Sequence, residues 1–568
     1  MFKKTKLSVG VSVALYSYLV PQLAIAQTNE PEDIEQIEVR GIKGSLSQSM
    51  NLKRQSAGVV DAISAEDMGK FPDTNLAESL QRITGVSINR VNGEGSEVTV
   101  RGFGGNYNLI TLNGRQMPAA NVATISGNTD DQGATGTSRS FDFSNLASEG
   151  VSGIEVYKTG RASVPSGGIG AAINVSTVKP LQQGDNRFSV GGKAMKDESG
   201  DGVTPELSGL ANWANDDRTF GVSFFSSYQE RSSGNRSMSI GDYQIYNWDS
   251  TSPGTFGLVD GAVVENAPEE GQLIALPNNV SLGLTETNRE RINGMLTLQS
   301  APSESLVLTA DAMVARNEIT STSVVDGVWF ARQFNYMKFD GNPVVATPVL
   351  FYEDIDGGKD FFYQNLDMAS KDELKSFGFN ADWWVSDNLN LRFDLATSKA
   401  TSGGAGPMGR NVSRINVAGA TAGWQVADFS QYLPQVSVVV DDALKGNNNG
   451  IFDLPDVGAQ AAIGITSSQT SKVDQLSFAG TWDYSMDVKI DFGLGYLKNE
   501  MNQAQQALFR QLVEQVVKTL RGELADDVLA EISDAEWREM SFAWAGSFER
   551  GEGHYYRIHG HSFIVEYD

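Results

Sequence analysis

Phe71–Arg115 reads FPDTNLAESLQRITGVSINRVNGEGSEVTVRGFGGNYNLITLNGR, and the order of its elements decides the fold. Leu76, Leu80 and Ile83 recur at i, i+4 and i+7, which predicts a short amphipathic helix. Pro72 and Asp73 supply its start and Gly85 its stop. Three β-rich runs follow, Val86–Asn89, Val98–Arg101 and Leu109–Leu112, punctuated by Asn-Gly and Gly-Phe-Gly turns. Gly102-Phe103-Gly104-Gly105 follows a strand but opens no helix, so it reads as a turn rather than a nucleotide cradle. A further β-rich run, Gly153–Lys158, leads into Pro165–Val175, and the whole is a small α+β domain full of tight turns.

Four phrases within it, ESLQRITGV, VTVRGF, LNGR and GGIGAAINV, occur in that order between Glu78 and Val175. Together they resemble the plug domain of TonB-dependent outer-membrane receptors. The resemblance implies a plug over 41–180 and gives its turns as plug site residues: Arg101, Gly102 and Phe103, then Asn113, Gly114 and Arg115, with Glu155 on the later strand. Arg101, Arg115, Glu155, Lys158 and Arg161 are candidates for ion pairs with a polar barrel wall, or ordinary surface charges. Asn121–Ser140 is a Gly/Ser/Thr/Asn/Asp loop without periodicity, expected to face an extracellular ligand or solvent.

Forty-four basic residues stand against 70 acidic ones, a net charge of -26, which argues against nucleic acid as a partner. No run reaches the roughly 20 apolar residues of a spanning helix, apart from a short N-terminal one, whereas half-polar β-strands remain compatible with a membrane. Cysteine is absent. Lys3, Lys4 and Lys6, the apolar run Leu7–Val20 and Ala24-Ile25-Ala26 have the pattern of a signal peptide over 1–26. A polar tail spans 27–40, and Glu35, Gln36, Ile37, Glu38, Val39 and Arg40 alternate as a segment able to add itself to a sheet edge. The resemblance places the TonB box there, the segment gripped by the TonB energy-coupling complex.

Past Pro180 the period becomes two. Phe220, Val222, Phe224 and Tyr228 alternate with Gly221, Ser223, Ser227 and Gln229, and Leu391, Phe393 and Leu395 with Arg392, Asp394 and Ala396. Val488, Ile490, Phe492, Leu494 and Tyr496 do the same against Lys489, Asp491, Gly493 and Gly495. Strands are expected near 187–196, 204–214, 219–229, 288–299, 306–316, 373–384, 389–398, 473–484 and 488–498. Their links alternate between short turns (Asn215–Arg218, Ser300–Ser305, Val385–Asn388) and long stretches (230–287, 317–372, 399–472). That alternation is the periplasmic-turn and extracellular-loop pattern of outer-membrane barrels. Trp213, Tyr228, Trp383 and Trp384 sit where interface girdles belong. The fold class expected is therefore an α+β plug followed by an antiparallel transmembrane β-barrel over 181–500. With nine strands it is incomplete beside the ~22 of plugged outer-membrane transporters.

From Met501 the composition changes. Leu508, Leu512, Val513, Val516, Val517 and Leu520 form one helical face ended by Gly522, and a second helical pattern runs near Ala525–Ile532. FAWAGS at 542–547, HYYRIHG at 554–560 and the closing Ile564–Asp568 are similar to the C-terminal part of a bacterial domain family of unknown function. Residues 501–568 are thus expected to be an unrelated small α/β fragment joined near 500. All three histidines lie here; His559 and His561 are weak metal candidates, and structural or surface roles compete with that reading.

The expected function is active uptake across the Gram-negative outer membrane, with outer-membrane lipid, the TonB complex and an extracellular small ligand as partners. No cofactor and no chemistry on the ligand are expected. The wording FPDTNLAESLQRITGVSI resembles the receptors linked to plant-derived oligosaccharides, with siderophores as the alternative ligand. Trp248, Phe256, Trp329, Phe330, Phe334, Tyr336, Phe351, Tyr352, Phe361, Phe362, Tyr363 and Trp424 on the long links suit sugar stacking or self-packing. With nine strands the chain is expected not to transport; an enzyme in the tail and a secreted binding module are the rival classes.

Overall fold

The computed structural model describes residues 50–500, apart from 51–52, 55, 57, 65–74, 92, 125–134, 149, 166, 184–185, 242, 444–445 and 486–487, together with three short strands near the C-terminus. Strand β1 is Val60–Ser64, followed by helix α1, Leu76–Leu80. The helix is shorter than its apolar period suggested. Asn75 is its N-cap, accepting from Ala77 N and Glu78 N, whereas Pro72 and Asp73 lie outside the described residues. Leu76, Ala77 and Leu80 are buried, so tertiary packing rather than helix length holds the turn.

Hairpin β2–β3 is Val86–Val91 with Glu94–Val100, and β4 Asn108–Leu112 turns into β5 Arg115–Gln116. The expected loop at 121–140 contains a second hairpin, β6 Asn121–Thr124 with β7 Thr135–Ser138. Next come β8, Val151–Tyr157, and β9, Ala171–Thr177. The plug sheet runs β1-β8-β9-β4-β5, with β4 and β9 parallel.

The wall continues with β10 Arg187–Met195, β11 Thr204–Ala214, β12 Phe220–Gly241, β13 Gln244–Asn247, β14 Leu258–Glu265, β15 Leu273–Leu276 and β16 Asn279–Ser303. Then follow β17 Leu306–Trp329, β18 Phe334–Phe339, β19 Val345–Ala346, β20 Pro348–Ser386, β21 Leu389–Gly404, β22 Val412–Asp428, β23 Gln435–Val440, β24 Gly458–Ile465, β25 Ser468–Ser485 and β26 Val488–Glu500. The main path is β10-β11-β12-β16-β17-β20-β21-β25-β26, the nine expected strands in sequence order, and among the described residues it does not close. The three tail strands, Ser541–Gly546, His554–His559 and Ile564–Tyr567, form their own small sheet; the helices expected at 508–532 fall outside the described residues.

Strand length departs most from expectation. Crossing a bilayer takes about 9–11 tilted residues. Strands β12, β16 and β17 have 22, 25 and 24 residues, so they extend the wall well past the membrane on the side of the long links. Those links are themselves largely β-structure rather than loop.

Which way the apolar face points settles the environment. Trp213, Val222, Leu298, Ala310, Phe379, Leu395, Leu476 and Tyr496 are successive cross-strand partners, one row across eight strands. Trp213, Leu298, Leu395, Leu476 and Tyr496 of that row are 37–63% exposed, while Asn212, Ser223, Thr297, Asp311 and Ala396 on the neighbouring inward row are 2–7% exposed. Apolar out and polar in is the reverse of a soluble sandwich and fits lipid outside with a filled lumen. Trp383, Trp482 and Tyr484 project outward beside the short turns, as an interface belt would, while the adjacent Trp384 is exposed on the alternate face.

The plug packs against the inward face. Its core of Leu76, Leu80, Val98, Ile110, Phe143, Ile154 and Ile173 takes in Phe225, Met295, Met313 and Leu374 from the wall. A Cβ on Gly150 would stand 2.4 Å from the Phe225 ring, so the close approach requires glycine there.

Candidate functional site

The turn between β4 and β5 places the deepest plug–wall contact. Asn113 (φ 52) and Gly114 (φ 83) occupy the left-handed region that a tight Asn-Gly hairpin demands. The turn is pinned to β9 by Asn113 N to Val175 O at 2.8 Å and Gly114 N to Asn174 Oδ1 at 2.8 Å. Arg115, buried, leaves it toward the wall. Its Nη1 donates to both Asp311 carboxylate oxygens at 2.8 and 2.7 Å, and its Nε to those of Asp394 at 2.8 and 3.0 Å. Burial works to deprotonate this guanidinium, but Asp394 and Asp311 outweigh it and hold the proton more firmly. The guanidinium lies over Gly378, where a Cβ would meet Nη1 at 1.6 Å.

Of the five charges considered for wall contacts, Arg115 alone bonds to the wall among the described residues. Arg101 (φ 54) stays in the Val-Arg-Gly-Phe turn: its Nη2 donates to Gly170 O at 2.8 Å, with Gly102 (φ 84) beside it and Phe103 edge-on to Tyr107. Glu155 accepts from Tyr157 Oη at 2.5 Å, and burial followed by Glu155 pushes the Tyr157 phenol up. Lys158 donates to Asp61 Oδ2 at 2.6 Å and Arg161 lies 4.6 Å over the Tyr157 ring. These four hold the plug to itself.

The sequence reading missed a second plug–wall cluster. Glu94, at the tip of hairpin β2–β3, is 1% exposed. Arg231 Nη1 donates to its Oε1 at 2.5 Å and Arg289 Nη2 to the same oxygen at 2.6 Å; Arg289 Nη1 pairs with Oε2, and Arg291 Nη1 is 4.0 Å from Oε2. Arg289 and Arg291 are two apart on β16 and Arg231 is on neighbouring β12, so the strand period brings all three inward. Inward arginines at 289 and 291 within an alternating strand were the available signal.

Elsewhere wall side chains satisfy the plug's backbone. Gln475 Oε1 accepts from Gln116 N, Gln469 Oε1 from Asn121 N, Ser402 Oγ from Val122 N and Asn293 Oδ1 from Ala147 N, each at 3.0 Å. Buried N–H groups that find no plug carbonyl thus find the wall.

Above this contact layer, toward the long links, lies a cavity of about 910 Å³. Asn89, Gly93, Ser96, Glu97, Asn121 and Val122 of the plug form its floor, and wall hydroxyls dominate its side: Ser233, Ser237, Ser239, Ser281, Thr285, Thr287, Ser321 and Ser323. Thr285–Ser323 and Thr287–Ser321 are hydroxyl pairs at 2.8 Å.

Five of the long-link aromatics pack on one another instead of facing a ligand. Trp248, Phe256, Phe330, Phe334 and Phe351 are at most 5% exposed and form a second core beyond the membrane, with Trp248 stacked on Phe256 at 5.0 Å and Phe330 edge-on to Phe351 at 4.5 Å. Trp329, at the rim, lies under Lys359 Nζ at 4.6 Å. Glu35–Arg40 and His561 lie outside the described residues, His559 ends a tail strand, and no metal-ligating cluster occurs among the described residues.

A plug seated on the inward face of a wall whose apolar side faces lipid, beneath a cavity lined by hydroxyls together with Ile319, Val325, Leu366 and Met368, has the architecture of a plugged outer-membrane receptor. Residues 52–172 match the family described as TonB-dependent Receptor Plug Domain, and 466–568 match a family of unknown function, DUF3500, whose range includes β25 and β26. Over 52–172 the chain thus carries the plug of the TonB-dependent receptors, proteins of the Gram-negative outer membrane. No curated protein matches the sequence. Among solved structures, a mutant ferric enterobactin receptor from Pseudomonas aeruginosa in complex with enterobactin is similar at 13% identity, over 78% of this chain and 72% of that one, with a TM-score of 0.30. The siderophore receptor PirA from Acinetobacter baumannii is similar at 12% identity (79% and 71% covered, TM-score 0.27), and the ferric citrate transporter FecA at 11% (79% and 79%, TM-score 0.25). Superpositions of that quality add nothing to the topology described above.

Proposed function

We propose that this chain is a receptor of the kind that captures a scarce, hydroxyl-rich ligand, an oligosaccharide, from outside the cell and releases it inward when the TonB complex pulls on Glu35–Arg40, and that with the open nine-strand wall of the described residues it binds the ligand without completing transport. The observation that carries the reading is the serine- and threonine-lined cavity between the plug hairpins and the membrane-distal wall. Hydroxyl pairs that hydrogen-bond one another can exchange those bonds for a sugar's hydroxyls. The ligand is bound without chemical change. The plug must then be a two-state element, seated while the site is loaded and rearranged by the pull. A siderophore is the second reading, favoured by the arginines under the cavity.

The test is calorimetric titration of the full chain in lipid vesicles with plant-derived oligosaccharides and ferric siderophores. Saturable oligosaccharide binding, weakened about tenfold or more by the pair Thr287→Val and Ser321→Ala, is expected. Saturable binding of siderophores alone would overturn the sugar assignment.

A further inference from the structure

The cluster at Glu94 carries more positive than negative charge. Three guanidiniums converge on one buried carboxylate, and the nearest further acid, Asp197, is 4.0 Å from Arg231 Nη2. Arg231 and Arg289 also line the cavity, and the buried Nε of each has no hydrogen-bond acceptor among the described residues. A buried arginine prefers bidentate engagement of a carboxylate, and here two arginines share one. Four acids also line the cavity, Glu97, Asp142, Asp197 and Asp372, none of them in the Glu94 carboxylate's place between Arg231 and Arg289: Asp142 accepts from Ser96 Oγ and Ser144 N, and Asp197 from Ser199.

We infer that Arg231 and Arg289 form an anion subsite at the cavity floor, occupied in the unliganded protein by Glu94 of the plug, and that the ligand presents a carboxylate there. The subsite rests on the uptake reading above and narrows its substrate to an acidic oligosaccharide; a carboxylate-bearing iron chelate offers the same chemistry. Arriving carboxylate competes with Glu94 for the two guanidiniums. The net charge of -26 makes a local cationic site the place where an anion can be drawn to an otherwise repelling protein.

Glu94→Gln separates this inference from a merely structural role, because it removes the competitor while keeping the side chain's size. Titrating the full chain in vesicles with trigalacturonate, its neutral methyl ester and ferric citrate, we expect Glu94→Gln to tighten trigalacturonate about tenfold and Arg231→Gln to weaken it about tenfold, with the ester unaffected by either. Ester binding as tight as the acid, or Glu94→Gln weakening the acid, overturns the subsite and leaves the oligosaccharide reading standing. Ferric citrate binding with the same response to both variants, while both sugars fail, keeps the subsite and overturns the oligosaccharide. No binding by any of the three overturns both.

Discussion

Two contacts between plug and wall are mirror images in charge. At Arg115 one guanidinium is divided between two carboxylates, Asp311 and Asp394; at Glu94 one carboxylate is divided among three guanidiniums. The first is sealed beneath the plug turn over Gly378, while two members of the second line an open cavity. The contrast assigns them different work. A sealed, charge-rich contact costs most when broken, because removing one partner leaves the others buried and unpaired. A contact beside the cavity can exchange its partner for water or for a ligand.

The largest effect should therefore come from Arg115→Ala, which strands two buried aspartates. We expect the plug–wall contact to weaken by about 3–5 kcal/mol, seen as a lower thermal transition and proteolysis of the plug in intact vesicles. Adding Asp311→Asn and Asp394→Asn should recover much of the loss; failure to do so would show that the arginine acts by packing instead. Glu94→Ala should cost less, about 1.5–3 kcal/mol, because Arg231 can rehydrate from the cavity; a loss equal to that of Arg115→Ala would erase the distinction. Gly378→Ala adds a Cβ under the guanidinium and should cost about 1–3 kcal/mol, with no effect in the Arg115→Ala background if the clash is with Arg115.

The smallest effect concerns pH. Burial raises the Asp61 carboxyl, but the Lys158 and Lys53 ammoniums outweigh it and hold it below the usual range. A lowered pKa stabilises the fold above the unfolded value of about 3.9 and loses that contribution as pH falls through the lower folded value. Hydrogen-exchange protection of Val60–Ser64 should thus persist from pH 7 to about 4 and decline only below it, by less than about 1 kcal/mol because one of the two partners, Lys53, is exposed to solvent. In Asp61→Asn the decline should be absent.

How much of this was legible in the sequence depended on where the two strand faces differ. At the short turns the strand ends were read to within a few residues, because one face meets lipid and the other the plug: Thr204–Ala214 and Leu389 onward are examples. Toward the outside both faces meet water, so Thr320-Ser321-Thr322-Ser323 has no apolar period and reads as loop, although the neighbouring strands hold it in the ladder. The loop aromatics look alike in sequence whether they stack on a ligand or on each other; only the contacts between Trp248, Phe256 and Phe339 tell them apart. Arg115 was a candidate because its turn is recognisable, but nothing local separates it from Arg101, whose side chain turns back to Gly170. Glu94 was missed because its partners lie 137 and 195 residues away.

The account stands on the apolar side of the wall facing lipid. The chain has no cysteine, so single thiols can be placed along Ile292–Gln299 of β16 and carry a fluorophore in reconstituted vesicles. Labels at 292, 296 and 298 should be quenched by lipid-borne spin labels, and those at 293, 297 and 299 should not. Quenching at the odd positions, or at none, with water-borne quenchers reaching the even ones, would contradict it.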